Sequence, residues 1–376
     1  MDMNYFIKKI HINQLFHLND IDIPIADEKS PHLLITGKNG SGKTVLLNAI
    51  SDFLNAAKDG RTADVLSDGR RIELQADLLG SIIERYNRGE FVIAFYQADR
   101  KVKMSEPKNP TKPVYNKNGD VRETATSQFL NFLSDLKIQE ALARNENQTK
   151  DADAIKGWFE DFEDLLQQIF QDSGLKLEFN YRDYSFRICT EGKRFKFTEV
   201  SDGFAAVLDI VADLILKMQD DQSLSRVYQK EGIVLIDEIE THLHLELQRV
   251  IMPLLTKVFP NIQFIVTTHS PFVLSSMPNA VAYDLEHQEV LDNLTEYSYE
   301  SLAEGYFGVK TESSYAEMQL DSFKKLLAKE ELTDADKVEI RQLRSDFEKI
   351  AEVASPLTVG EYRQIVIQNA EKFKSL

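Results

Sequence analysis

Residues 36–44 read TGKNGSGKT, set between the apolar triplet Leu33-Leu34-Ile35 and the segment VLLNAISDFLNAAK, which reads as a helix. A short buried strand, a glycine-rich turn and a helix, in that order, leave few folds open. The glycines let backbone N–H groups converge on phosphate oxygens where a side chain would block them. The start of the helix adds partial positive charge. Gly37, Lys38, Asn39, Gly40, Ser41, Gly42, Lys43 and Thr44 fit the P-loop pattern at every position. Lys43 is placed to reach the β and γ phosphates, and Thr44 to hold Mg2+ through its hydroxyl. The turn is shaped to hold a triphosphate.

A second apolar strand, Ile233-Val234-Leu235-Ile236, ends in Asp237 and Glu238. Asp237 emerges near the metal, and Glu238 can polarise a water for attack on the γ phosphate. His269 ends a third apolar strand, QFIVTTHS, where it can hydrogen-bond the γ phosphate and report its presence. Gln97 ends FVIAFYQ and is placed to contact Mg2+ or the attacking water. Ser201-Asp202-Gly203 stands just before the helix FAAVLDIVADLILKM, a second helix start suited to phosphate. One subunit already has its own phosphate loop. The second end therefore points to two chains meeting head to tail, each serine touching the other's γ phosphate.

Apolar strands alternating with helices predict an α/β fold with a mostly parallel central sheet buried on both faces. FIKKIHI, DIDIPI and RIELQADLL read as further strands, and LKLEFNY, YSFRI and RFKFTEV as a three-stranded antiparallel meander. Gly60 is a helix stop. Trp158, Phe159, Phe162, Leu165 and Leu166 are spaced as one helix face and read as core. Between Arg100 and Arg122, prolines 107, 110 and 113 fall among lysines 101, 103, 108, 112 and 117, the composition of a mobile basic loop. Beyond residue 300 the pattern is helical. Ile340, Leu343, Phe347 and Ile350 share a face behind an N-cap at Thr333, with Asp334 and Asp336 as helix-start carboxylates.

The order GKNGSGKT, Gln97, VSDG, VLIDE, THS resembles the ABC-type ATPase heads, and among them the Rad50, RecF and OLD-like group more than the transporters. DEIETHLHLELQR resembles the D-E-x-E-x-H-L-H-P segment of OLD-like and related ATPases of bacterial defence systems, with Leu245 where proline is usual. The run Gln97-Ala98-Asp99-Arg100 resembles the same ATPases. The resemblance covers residues 5–295 and implies ATP and Mg2+ as cofactors. It makes Lys43 and Thr44 the phosphate and Mg2+ ligands, Asp237 a support of Mg2+, Glu238 the catalytic base and His269 the switch. Ser201 and Gly203 would act in trans, although VSDG departs from the usual LSGGQ at several positions. His242 and His244 are read as part of a loop at the dimer interface rather than as metal ligands.

The expected organisation is an ATPase domain over residues 1–299, with the basic loop at 100–127 and a helical insertion at 128–172, followed by a helical appendage at 300–376. That appendage either docks a partner or packs on the ATPase core. OLD nucleases carry a Toprim domain, with its metal-binding Asp-x-Asp after an apolar strand. Here Asp334-x-Asp336 precedes a helical pattern, so no nuclease is expected in the chain. The resemblance then implies an ATPase that senses or regulates, working as a homodimer or larger homo-oligomer with a separate effector, a nuclease. Septu, retron-associated and PARIS-like anti-phage systems have such ATPases. The alternative is a RecF-like clamp that binds nucleic acid, favoured only by the basic loop.

Net charge and cysteine bound the rest. At −17 the chain lacks the overall basic balance of a protein that coats duplex DNA. One cysteine, Cys189, rules out a disulfide framework within the chain and fits a reducing cytoplasm. No apolar run approaches membrane-spanning length, so no membrane partner is expected.

Overall fold

The structure, a computed structural model, describes residues 7–25, 31–61, 71–76, 78–100, 104–107, 112–113, 119–219, 229–291, 294–306, 308, 313–329, 331–350, 355–370 and 373. The chain begins with β1 (Ile7–Leu15), β2 (Leu18–Pro24), β3 (His32–Thr36), α1 (Lys43–Lys58), β4 (Arg71–Ala76), α2 (Leu79–Asn87) and β5 (Phe91–Tyr96). Two helices follow, α3 (Phe129–Asn145) and α4 (Thr149–Phe170). Then come β6 (Lys176–Asn180), β7 (Ser185–Thr190), β8 (Lys193–Lys196) and α5 (Asp202–Met218). The first unit closes with β9 (Glu231–Ile236), α6 (Leu245–Val258), β10 (Ile262–Thr267), α7 (Pro271–Leu274), β11 (Ala280–Asp284) and β12 (Glu289–Leu291). Compact units span residues 1–297 and 298–376.

The central sheet has the order β12-β11-β3-β10-β9-β5. All its pairs are parallel except β11 with the edge strand β12. Strands β3, β5 and β10 are buried at every residue, which is why they read as unbroken apolar runs rather than alternating ones. Strand β1 instead buries only Ile7, Ile10, Ile12 and Leu15, its register against β4 shifting at two points, and it sits centrally in an antiparallel sheet of order β2-β1-β4. The apolar faces of both sheets and of α1 meet in one core that includes Ile10, Leu46, Ile50, Phe53, Ile93 and Leu235.

The meander pairs antiparallel in the order β6-β7-β8. Its last strand is shorter than RFKFTEV suggests, because the chain leaves β8 at Lys196 for a 3-10 turn over Phe197–Glu199. That turn buries Phe197 and stacks its ring 6.4 Å from Phe162. Trp158, Phe159, Phe162, Leu165 and Leu166 all lie on the buried face of α4. Trp158 meets Phe132 edge-on at 5.5 Å, so α3 and α4 share an aromatic core. Helix α1 ends at Lys58, and Gly60 takes the left-handed conformation beyond it (φ 68°). Helix α6 forms around Pro253, which cannot donate an N–H. Leu247, Ile251, Leu254 and Leu255 supply its buried stripe.

The second unit comprises α8 (Tyr299–Gly305), α9 (Ser314–Leu327), α10 (Asp334–Lys349) and α11 (Pro356–Gln368). Leu320, Phe323, Ile340, Leu343, Phe347 and Tyr362 form its core, with Ile350 packed at the edge. Thr333 and Asp336 cap α10 reciprocally. The threonine hydroxyl accepts from the Asp336 N–H at 3.2 Å, and the carboxylate accepts from the Thr333 N–H at 2.9 Å. The Lys329 ammonium at 2.6 Å, and then these bonds, hold the Asp336 carboxyl down at about 2. Among the described residues no helix is long and apolar enough to cross a membrane.

Candidate nucleotide site

Open parallel sheets bind ligands at the carboxyl ends of their strands. At that edge β3 delivers the glycine turn, β9 delivers Asp237 and Glu238, β10 delivers Thr268 and His269, and β5 delivers Gln97. Gly37 (φ 132°) and Gly42 (φ 102°) occupy backbone conformations that L side chains rarely adopt. A Cβ on Gly42 would also lie 2.9 Å from Leu18 Cδ1, and one on Gly37 2.9 Å from Ser41 Oγ.

Lys43 is only 5% exposed, and its Nζ donates to the carbonyls of Gly37 at 2.7 Å and Lys38 at 3.0 Å. Burial pushes its pKa down, opposed by the charges of Glu238 and Asp237. Carbonyl contacts of this kind can be exchanged for phosphate oxygens. The base of the loop is fixed from the β11–β12 turn, where Glu286 accepts from the Lys38 ammonium at 2.9 Å.

The Thr44 hydroxyl donates to Asp237 Oδ1 at 3.2 Å, and the Thr267 hydroxyl donates to the same oxygen at 2.6 Å. Asp237 is thus a buried carboxylate whose described hydrogen-bond partners are neutral hydroxyls. A carboxylate and a hydroxyl side by side, with no nitrogen or sulfur donor, fit Mg2+, which takes oxygen ligands and few of them from protein.

Glu238 sits in the left-handed region (φ 44°), with its N–H on Thr267 Oγ1 at 2.8 Å. His269 is half-buried. Its pKa is lowered by burial and then by the Lys43 charge, which favours a neutral ring. Glu240 anchors that segment, accepting from the His269 N–H at 2.5 Å and the Thr268 hydroxyl at 2.7 Å. Burial pushes the Glu240 carboxyl up.

A cleft of about 290 Å³ joins these groups, lined by Asn39, Gly40, Gly42, Lys43, Thr44, Glu238 and His269. Phe16 and His17, on the turn between β1 and β2, line it too. Phe16 is 69% exposed, an aromatic face open to a base. Neither residue stands out in sequence, because a lone aromatic in a hairpin turn carries no motif. Ser41 is buried below the loop.

Gln97, Ser201 and Gly203 do not line this cleft. Gln97 is exposed beside Asp237, whose N–H donates to the Tyr96 carbonyl at 2.8 Å. Ser201 is the exposed N-cap of α5, and its side chain makes no capping bond. Gly203 is buried with the His242 carbonyl packed against it, where a Cβ would sit 2.8 Å from that oxygen. His242 and His244 are exposed on the turn leading into α6. Among the described residues no three His, Cys, Asp or Glu side chains are grouped to hold a metal.

The basic stretch between Arg100 and Arg122 is described mainly at its two ends. Arg100 and Arg122 turn inward: Arg100 donates to the Asp237 carbonyl at 3.0 Å, and Arg122 pairs with Asp52 at 2.7 Å. They satisfy protein acceptors instead of facing solvent. Lys112 is exposed, while Lys101, Lys103, Lys108, Pro110 and Lys117 lie outside the described residues.

Fold and site together define an ABC-type P-loop ATPase head. The chain belongs to the family described as "AAA domain, putative AbiEii toxin, Type IV TA system", whose model matches residues 33–275. It is 24% identical to the Septu protein PtuA of Bacillus mycoides, over 96% of this chain and 53% of that protein. It therefore spans about half the length of that relative. Over 20% of this chain and 14% of the relative it is 47% identical to the "Retron Ec83 probable ATPase" of Escherichia coli. Among solved structures it is similar to an Smc head bound to the C-winged helix domain of ScpA. The TM-score is 0.43 and the identity 15%, covering 78% of this chain and all of that one.

Proposed function

We propose that this chain binds and hydrolyses ATP and serves as the sensor or regulatory subunit of an anti-phage defence complex. The observation that carries the ATPase reading is the single cleft in which Lys43, Thr44, Glu238 and His269 converge. The phosphates lie along the glycine turn, with the Lys43 ammonium on their oxygens. Thr44 and Asp237 would hold Mg2+, which neutralises charge on the phosphate oxygens when bound. Glu238 takes the proton from the attacking water, and the neutral His269 ring bonds the γ phosphate. Phe16 gives the base a stacking surface. Gln97 approaches from β5 as a further water or metal contact.

Two chains complete the sites. Ser201 and Gly203 at the start of α5 meet the γ phosphate bound to the other subunit, as the exposed serine suggests. The Septu and retron relatives support a defence role beside a separate effector, for which a nuclease is our candidate. Residues 300–376 are our candidate dock, with Tyr315, Met318 and Leu357 exposed there. The cytoplasm is the expected compartment. The inward-facing Arg100 and Arg122 leave the nucleic-acid clamp reading less to stand on.

Phosphate release by the purified chain tests the core of this. Glu238→Gln should slow turnover about 10²- to 10⁴-fold while ATP still binds, since it removes only the base. Wild-type turnover by that variant sinks the assignment. The partner reading fails if the chain never co-purifies with a protein encoded beside it.

A further inference from the structure

We propose that Arg100 is a positioning residue for hydrolysis: its guanidinium fixes the turn that carries Glu238. The proposal rests on Glu238 being the base. A glutamate at φ 44° is held against its own preference, and such residues persist only where their surroundings over-determine them. The Glu238 N–H is taken by Thr267 Oγ1 at 2.8 Å, which secures one side of the residue. The other side belongs to Arg100.

Four carbonyls converge on that one side chain. Arg100 Nη1 donates to Asp237 at 3.0 Å and Gln97 at 3.3 Å. Nη2 donates to Glu238 at 3.3 Å and Ile239 at 3.4 Å. Three consecutive carbonyls of the turn are thereby tied to the carbonyl of Gln97, the residue that follows β5. Only a planar fork with fixed donor directions spans such a set; an ammonium is a point charge on a flexible stem. Burial works against the charged guanidinium, and the Asp209 carboxylate of α5 is the largest influence restoring it. A charge taken out of water and directed at backbone oxygens is an expensive way to satisfy a loop. It is a reasonable way to stop a catalytic turn from relaxing.

The side chain is also reachable. Arg100 lines a second cleft of about 490 Å³ with Asp99, Asp202 and His242. A small cation could therefore take the place of a deleted guanidinium.

The test measures ATP turnover and ATP affinity separately for Arg100→Lys and Arg100→Ala, with and without added guanidinium ion. A displaced base lowers kcat about 10²-fold. KM should stay within about threefold, because Lys43 and Thr44 grip the phosphates from a different turn. Guanidinium ion should return part of the lost kcat to the alanine variant and none to Glu238→Gln. Wild-type kcat in Arg100→Lys overturns the proposal, as does a rise in KM matching the fall in kcat or an alanine variant indifferent to guanidinium. If Arg100→Ala does not fold, Arg100→Lys decides by its ratio of kcat to KM effects. The two readings fail separately. Full activity in Glu238→Gln removes the base, whereas an inactive Glu238→Gln beside a fully active Arg100→Lys removes only Arg100.

Discussion

Two helix starts in this molecule have the form of a phosphate grip, and they are left in opposite states. At α1 the grip is closed within the chain: Lys43 is buried on the Gly37 and Lys38 carbonyls, and Thr44 bonds Asp237. At α5 the N-cap Ser201 is exposed, its side chain caps nothing, and Gly203 beneath it packs on the His242 carbonyl. A helix start has N–H groups that need acceptors. The first end resembles a site that waits for a ligand. The second resembles half of a site that waits for another molecule, as the proposed pairing of two chains requires. The Gly203 contact adds that one glycine of the second grip serves packing inside its own subunit.

If the contrast is right, damage at the two ends should differ in kind. Lys43→Ala is the largest expected effect. Loss of a buried charged donor to phosphate costs about 4 kcal/mol, roughly a thousandfold in ATP affinity by titration. A variant that still binds tightly would remove the closed grip.

The second effect is on stability and lies in the core, at the end of β3 opposite the glycine turn. His32, at the start of β3, is 4% exposed and accepts from the Phe264 N–H at 3.2 Å. Burial lowers its pKa to about 4 from an ordinary 6.5. The unfolded chain therefore takes up a proton first as pH falls. The contribution is intact above pH 6.5 and is lost progressively down to about pH 4, to a total on the order of 3 kcal/mol. Urea midpoints between these pH values should fall more steeply for wild type than for His32→Gln. Equal slopes would contradict the assignment.

Ser201→Ala is the smallest of the three. It removes one hydrogen bond to a charged group, about 1.5 kcal/mol or roughly tenfold in kcat, with ATP affinity unchanged. A loss of affinity instead of turnover would place Ser201 in the closed grip and erase the contrast.

The parts legible in sequence were those whose chemistry is local. The glycine turn, the apolar strands and the carboxylates that follow them each announce themselves within ten residues or so, because backbone conformation and burial leave direct marks. Arg100 does not. Its acceptors at Asp237, Glu238 and Ile239 are more than a hundred positions away, and beside lysines and prolines it reads as a solvated charge. Glu240 lies in a recognisable segment, yet its hold on His269 depends on the pairing of β9 with β10. Helix α6 is obscured by Pro253, where amphipathic burial overrides a residue that argues against a helix. Strands β11 and β12 are short and weakly patterned. They become evident only when β11 pairs with β3 and extends the sheet. Phe16 is a tertiary juxtaposition, brought to the cleft by the β1–β2 turn.

The pairing of the two grips has one direct test, in which purified Lys43→Ala and Ser201→Ala chains are assayed for ATP turnover apart and then mixed. If each nucleotide lies between two chains, a mixed pair rebuilds one site with an intact lysine from one subunit and an intact serine from the other. Random two-fold pairing should then bring the mixture up to roughly a quarter of wild-type turnover, well above the sum of the separate samples. A mixture no more active than that sum, at concentrations where the chains associate and exchange, would mean that each chain works its nucleotide alone.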